Sequence, residues 1–169
     1  MFVGRIDIAS VPERVGSGYP PPHDARCRAR RSRALGLAAG LTQFGVNLVT
    51  LPPGSWSSQR HWHALEDEFV FVVSGEVVLV TDEGETPMGA GECAAFPAGV
   101  RDGHHFQNRG DRDAVLLAVG TRDDRDWGEY PDIDMIFEPG RYSGRGSVFR
   151  HRDGRPFETD ARRGDAAQS

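Results

Sequence analysis

The chain has 169 residues, of which 38% are hydrophobic and 27% charged, a composition typical of one globular domain with a core of its own. No segment approaches the roughly 20 apolar residues of a membrane helix, and residues 1–7 lack the apolar run of a signal peptide, so we expect a cytoplasmic protein without a membrane partner. The net charge of −5 argues against a nucleic-acid partner.

Residues 1–40 are predicted to form an irregular N-terminal arm, because a stretch so rich in proline and arginine cannot bury itself. Its arginines are concentrated at residues 26–33, without interleaved aromatic side chains. We interpret this cluster as a solvated arm or as a contact with an acidic neighbouring subunit. Cys27 lies among these arginines, which favour its thiolate, but no nearby histidine in the sequence supports a catalytic role.

Residues 41–120 are predicted to form an antiparallel all-β sandwich or barrel. Short β-rich runs alternate with glycine and proline turns at a spacing of about 8–12 residues, with little helix signal. The run at 69–74 is continuously apolar, so we expect both of its faces to be buried. The predicted strands cover residues 42–51, 56–63, 69–74, 77–81, 86–88, 93–96, 104–108 and 114–120.

Residues 121–169 are polar and contain no repeat or second domain. We predict a C-terminal extension that packs on the barrel, with edge strands at 132–137 and 147–150 and a disordered tail. All 20 basic residues of the whole chain are arginine, which excludes a lysine general base and Schiff-base chemistry.

His61 and His63 stand two positions apart in a predicted strand, so their side chains point to the same face and can bind one ion together. Glu68 is five positions after His63, so on one unbroken strand its side chain would point to the opposite face. It joins the histidines only if residues 64–67 form a turn and Glu68 opens the next strand. Glu66 and Asp67 are rival carboxylates, which we interpret as solvated turn residues.

His104 and His105 are adjacent and must point to opposite faces of their strand. His104 shares its face of the strand with Phe106 and Asn108, which stand at alternate positions. We therefore predict His104 as the third histidine ligand and His105 as a hydrogen-bonded structural residue. Three imidazoles and a carboxylate would be costly to bury without an ion. The sequence therefore predicts one divalent transition metal, and nitrogen and oxygen ligands suit Fe, Mn, Ni, Cu or Zn alike.

These residues resemble the two motifs of the cupin superfamily over residues 41–120. Here the motifs read Gly54…His61-Trp62-His63…Glu68…Gly75 and Gly91…Pro97-Ala98-Gly99…His104…Asn108. The extra residue between Gly54 and His61, and the two between Gly99 and His104, fall in loops. The resemblance implies a double-stranded β-helix, or jelly-roll barrel, with a mononuclear metal inside and commonly a homodimer.

Three imidazoles and Glu68 would leave two open positions on a six-coordinate ion, where substrate, water or O₂ can bind. Glu68 also has a second role available: if its carboxylate dissociates from the ion, it can act as a general base beside a polarised substrate. We therefore predict a metal-dependent enzyme acting on a small molecule, first an oxygenase or dioxygenase. The alternatives are a redox-neutral isomerase, lyase or decarboxylase, and a non-catalytic binding or sensory protein.

Three further residues are predicted to contact the substrate. Gln43 and Asn47 share a parity on the first barrel strand and can point into the cavity, although a solvent-facing strand edge explains them equally well. Phe106 is two residues from His104, so it is expected to form an apolar wall beside the metal. Arg60 and Trp62 have the opposite parity to the histidines.

Overall fold

The computed structural model describes residues 4–143 and 148–157. The strands within these residues are β1 (Glu13–Val15), β2 (Arg31–Ala34), β3 (Phe44–Leu51), β4 (Trp62–His63), β5 (Glu68–Ser74), β6 (Glu76–Thr81), β7 (Gly84–Gly89), β8 (Cys93–Phe96), β9 (His105–Gln107), β10 (Ala114–Thr121), β11 (Gly128–Tyr130), β12 (Met135–Phe137) and β13 (Phe149–Arg150). A single turn of α-helix, α1 (Leu35–Ala38), precedes β3. None of the helices in this described part combines the length and apolar composition of a membrane span.

The strands pair antiparallel in three sheets. The largest has the order β1-β2-β3-β10-β5-β8, and the two smaller sheets have the orders β7-β6-β9 and β13-β12-β11-β4. In the largest sheet, β3 and β10 are neighbours although six strands separate them in sequence. The predicted fold class, an all-β antiparallel jelly-roll barrel, is confirmed.

The main core lies between the six-stranded sheet and the β7-β6-β9 sheet. Alternate side chains of β3, β5 and β10 point inward, because successive residues of a strand face opposite sides. Each fully buried aliphatic side chain of this kind contributes about 1.5–3 kcal/mol of hydrophobic stabilisation. The buried members are Val49, Leu51, Val70, Val72, Val77, Met88, Phe106, Ala114 and Leu116.

The N-terminal arm is not irregular throughout, contrary to the prediction from sequence. β1 and β2 form an antiparallel pair, and β2 extends the largest sheet by pairing with β3. The open edge of β3 offers unpaired backbone groups that even a polar strand can satisfy. The arginines of β2 find carboxylate partners: Arg31 pairs with Asp113 at 2.6 Å and Arg33 with Glu13 at 3.3 Å.

A second core joins the arm to the C-terminal extension. It contains Tyr19, Cys27, Tyr130, Met135 and Phe137. Burial raises the pKa of Cys27 to about 11, so the neighbouring arginines do not produce the thiolate that the sequence suggested. In the extension, β11 pairs with both β4 and β12, and β12 pairs with β13. The tail predicted to be disordered, residues 158–169, lies outside the described residues.

The prediction that both faces of the 69–74 run are buried is wrong. Phe69 and Val73 are 41% and 46% exposed, and they alternate along β5 with Val70 and Val72, which are buried. Across this outer face the register aligns four side chains, Leu48, Leu117, Phe71 and Cys93. Cys93 is exposed. An apolar sheet face of this kind is typical of a contact surface.

Candidate metal centre and cavity

His61 and His63 flank the buried Trp62 on alternate positions, which sends both imidazoles to the same side. The backbone of His61 exchanges two hydrogen bonds with that of His104, with N–O distances of 3.2 and 2.9 Å. The ring of His61 lies 5.0 Å from the ring of His63 and 5.2 Å from that of His104. Trp62 points away and packs edge-to-face on Trp127 at 5.2 Å.

Glu68 opens β5 directly after a turn, and this places its carboxylate among the histidines. Its Oε2 lies 3.1 Å from Nε2 of His104. Burial alone would raise the pKa of Glu68, but the hydrogen bond with His104 and the electrostatic influence of the three histidines lower it to about 2. The carboxylate is therefore ionised at neutral pH.

Hydrogen bonds at Nδ1 fix the orientation of two of the imidazoles. Nδ1 of His61 donates to the carbonyl oxygen of Gln59 at 2.9 Å, and Nδ1 of His63 donates to Oδ2 of Asp126 at 2.7 Å. Both partners only accept hydrogen bonds, so each ring carries its proton on Nδ1 and keeps the lone pair of Nε2. Burial and the neighbouring histidines also lower the pKa of His61 well below its usual value, which keeps that ring neutral.

The donor set fits one divalent transition metal ion. The ligand atoms of His61, Glu68 and His104 all lie within 4.8 Å of one another, and His63 adjoins them through its ring contact with His61. Imidazole nitrogens and one ionised carboxylate, without sulfur, suit the metals from manganese to zinc. The structure thus brings His61, His63, Glu68 and His104 together, which are the four residues predicted as ligands.

His105 turns away from this centre. Its Nδ1 lies 3.0 Å from the carbonyl oxygen of Ser58, and its ring packs edge-to-face on Trp56 at 4.7 Å. Burial lowers the pKa of His105 to about 4, so the ring is neutral. These contacts give His105 a structural role. His104, which directly precedes β9, points to the metal centre instead, and its ring stacks on Phe96 at a centroid distance of 3.5 Å.

The interpretation of Glu66 as a solvated turn residue is wrong. Glu66 is only 6% exposed and forms an ion pair with Arg141. It also accepts hydrogen bonds from the Tyr142 hydroxyl at 3.0 Å and the Asp123 backbone at 2.9 Å. The cause is the C-terminal extension, which folds over this turn. Asp67, by contrast, is exposed.

Asp126 belongs to the same buried group and was not identified from the sequence. With His63 and Glu66 it forms a second set of possible ligand atoms within 4.8 Å. Arg141 pairs with both carboxylates of this set, with 3.1 Å to Asp126. The guanidinium occupies the place of a cation, so this set does not fit a second metal ion.

A cavity of about 680 Å³ opens beside the metal centre. His61, His63 and Glu68 line it together with Asn47 and Phe106, so the structure brings these two predicted substrate contacts to the site.

Gln43 does not join them. It precedes β3 instead of lying on it, its side chain is exposed, and its carbonyl oxygen accepts a hydrogen bond from the Arg122 backbone. The strand begins at Phe44, two residues later than predicted, and Gln43 is therefore not part of it.

Four arginines also line the cavity, and sequence reasoning did not select them. They are Arg14, Arg30, Arg122 and Arg141. Arg60, the arginine nearest to the histidine motif, is instead held by Asp132 at 2.7 Å and by Asp82. The cavity therefore combines a metal centre with four arginines, and the carboxylates of Glu66, Asp67 and Glu68 line it as well.

Comparison with known proteins agrees with this architecture. A family model described as a cupin domain matches residues 47–120. The crystal structure of a sugar phosphate isomerase of the cupin superfamily from Silicibacter pomeroyi is 47% identical, with a TM-score of 0.86, and the alignment covers 93% of this chain and 98% of that one. The chain belongs to the cupin superfamily, and the resemblance seen in its motifs is confirmed.

Two more distant relatives extend the comparison. A provisionally named sugar phosphate isomerase from Acidithiobacillus ferrooxidans is 26% identical with a TM-score of 0.67, over 78% of this chain and 82% of that one. Protein SchB of Streptomyces halstedii is 31% identical over 97 residues, which is 57% of this chain and 68% of that protein.

Proposed function

We propose that this chain is a metal-dependent cupin enzyme that interconverts the aldose and ketose forms of a phosphorylated sugar. The observation that carries the proposal is that one cavity holds both the His–Glu centre and four arginines. Such a cavity can bind the carbonyl end of a sugar phosphate at one place and its anionic end at another. The name of the Silicibacter pomeroyi relative, which is 47% identical over nearly the whole chain, supports the same substrate class.

His61, His63, His104 and Glu68 would hold the ion, which when bound supplies Lewis-acid polarisation of a carbonyl oxygen. Isomerisation then moves one proton between adjacent carbons and one between adjacent oxygens, with no net oxidation. Glu68 is the residue of this chain suited to carry the carbon-bound proton, because its carboxylate is ionised and lines the cavity. Asn47 offers an amide to a sugar hydroxyl, and Phe106 supplies an apolar wall that limits water.

The charge of the cavity favours this redox-neutral reaction over the oxygenase that the ligand set alone suggested. Arginine side chains recognise phosphate and carboxylate groups through charge-assisted hydrogen bonds. A phosphorylated sugar uses both those cations and a polarising centre, whereas activation of O₂ gives the cations no role. Oxygenation and binding without turnover are the two alternatives that the experiment separates.

The experiment is anaerobic proton NMR in D₂O, with the metal content of the protein measured first by elemental analysis. A panel of triose, tetrose, pentose and hexose phosphates is offered in both aldose and ketose forms. We expect interconversion of one pair, with deuterium entering at the carbon beside the carbonyl. Glu68→Gln should abolish that exchange, while Glu85→Gln, on the exposed Arg109 pair, should leave it unchanged.

Two outcomes would overturn the proposal. In a parallel aerobic assay, consumption of O₂ coupled to substrate loss would identify an oxygenase. Tight binding of a sugar phosphate without exchange or turnover would identify a binding protein. An isomerisation rate that survives complete removal of the metal would contradict the role given to the metal centre.

A further inference from the structure

Arg30 is a cation without a carboxylate partner among the described residues. Its Nε is shielded from solvent and makes no hydrogen bond there, and Nη1 reaches the carbonyl oxygen of Gly16 only at 3.5 Å. The neighbouring Arg31, by contrast, is paired with Asp113. A shielded guanidinium donor without an acceptor is costly, which makes it a candidate for ligand binding.

Ser17 adds a second unsatisfied donor to the same place. Its Oγ is buried and has no partner in the described part of the chain. Both Ser17 and Arg30 line the cavity beside the metal centre, and both belong to the N-terminal arm. Two cavity-lining residues that each hold a buried donor without an acceptor among the described residues indicate a ligand rich in acceptor oxygens.

The surroundings of Arg30 leave its positive charge largely uncompensated. Tyr19 and Cys27 lie near it, but burial raises their pKa values to about 12 and about 11, so both are neutral at neutral pH. Arg14 is close enough to repel it and lines the same cavity. Glu68 is the nearby carboxylate, and it belongs to the metal centre.

The other two arginines of the cavity have partners. Arg141 is paired with Glu66 and Asp126, and Arg122 donates to the carbonyl oxygen of Leu41 at 3.0 Å and lies over the ring of Tyr142. Arg14, Arg30 and Arg122 therefore line the cavity without a carboxylate partner among the described residues, and two of these three belong to the arm.

We propose that Arg30 and Ser17, with Arg14 beside them, form an anion subsite that binds the phosphate of the substrate while its carbonyl end reaches the metal centre. The identity of the whole substrate rests on the proposed function, but the anion subsite rests on the arm alone. The phosphate group of a monoester has three strong acceptor oxygens and a charge of about −1.5 to −2 at neutral pH, so it satisfies the guanidinium and the hydroxyl together. The arm, which lies outside the segment matched by the family model, would then determine which substrates enter.

The test is calorimetric titration of the full-length, metal-loaded protein with inorganic phosphate at constant ionic strength. We expect one phosphate per chain, a loss of affinity of about tenfold or more in Arg30→Gln, and a smaller loss of about threefold to tenfold in Ser17→Ala. Arg31→Gln, one residue away but paired with Asp113, is the matched control and should bind phosphate like the wild type. His61→Ala, which weakens the metal centre, should retain phosphate binding.

Thermal unfolding provides a second readout that does not depend on affinity alone. Without phosphate, Arg30→Gln should be at least as stable as the wild type, because it removes an unpaired, shielded charge. Phosphate should raise the Tm of the wild type and of Arg31→Gln but not that of Arg30→Gln.

Retention of phosphate affinity in Arg30→Gln would overturn the subsite. Loss of phosphate binding in His61→Ala but not in Arg30→Gln would also overturn it, because it would show that the anion binds at the metal centre. The two proposals fail separately. Phosphate binding that needs Arg30, without isomerisation of any sugar phosphate, would leave the subsite standing and the proposed reaction wrong. Isomerisation with an unchanged KM in Arg30→Gln would leave the proposed reaction standing and the anion subsite wrong.

Discussion

Asp126 and His63, 63 positions apart in the chain, are joined by a 2.7 Å hydrogen bond between Oδ2 and Nδ1. The other carboxylate oxygen of Asp126 accepts the backbone N–H of Leu65 at 2.8 Å. Burial alone would raise the pKa of Asp126, but these hydrogen bonds hold it below its usual value. An ionised Asp126 fixes the tautomer of His63 and leaves Nε2 free, so the C-terminal extension takes part in shaping the metal centre.

We predict that Asp126→Asn lowers the affinity for the metal by about 10- to 100-fold, because a hydrogen-bond partner that orients a ligating imidazole is worth that much. Competition with a chelator of known affinity measures the effect. The chain offers a matched control in the exposed pair of Asp134 and His151, which has a similar distance of 2.8 Å. Equal metal affinities for Asp126→Asn and Asp134→Asn would show that the hydrogen bond does not orient His63.

The two adjacent histidines of the second motif provide a prediction with opposite outcomes. His104→Ala should lose stoichiometric metal, because a ring nitrogen of His104 lies within 4.8 Å of the ligand atoms of His61 and Glu68. His105→Ala should keep the metal, because its ring is bonded to Ser58 and packed on Trp56. Elemental analysis of both proteins after identical purification gives the answer, and circular dichroism checks that each remains folded. Loss of metal in His105→Ala alone would reverse the assignment of the ligand.

Strand alternation explains how much of this site could be predicted from sequence. It places His61 and His63 on one side, and the turn before β5 brings Glu68 to the same side. It cannot find partners that come from distant segments. Glu66 looks solvated in its own sequence window, and its buried partner Arg141 is 75 positions away. The same limit applies to predictions for the arm, because the sequence does not distinguish an arginine that lines the cavity, such as Arg30, from neighbouring arginines that are paired with carboxylates.

The buried network around Glu66 leads to a prediction about stability. Arg141→Met would leave Glu66 and Asp126 as buried carboxylates without their cation, so we expect a loss of about 3 kcal/mol in the free energy of unfolding. Chemical denaturation measures it. Arg125→Met is the control, because its pair with Asp123 lies at the surface and should contribute nothing measurable. A loss of the same size in both variants, or in neither, would contradict this account of the network.

The outer face of the six-stranded sheet carries the last prediction, which concerns assembly. Leu48, Leu117 and Phe71 are aligned across three adjacent strands, and Phe69 and Val73 beside them are among the exposed hydrophobic side chains. An apolar sheet face with exposed side chains would be stabilised by a second copy of the chain, so the homodimer expected from sequence remains our prediction.

Size-exclusion chromatography with light scattering should find a dimer for the wild type and a monomer for Leu117→Arg, because an arginine in the centre of the face cannot be desolvated without a partner. The matched control is Val100→Arg, at an exposed position outside these strands, which should remain dimeric. Since the side chain of Leu117 points away from the inward-facing neighbours Leu116 and Ala118, the monomer should retain its metal. A monomeric wild type, or a dimer that withstands Leu117→Arg, would mean that this face does not mediate assembly.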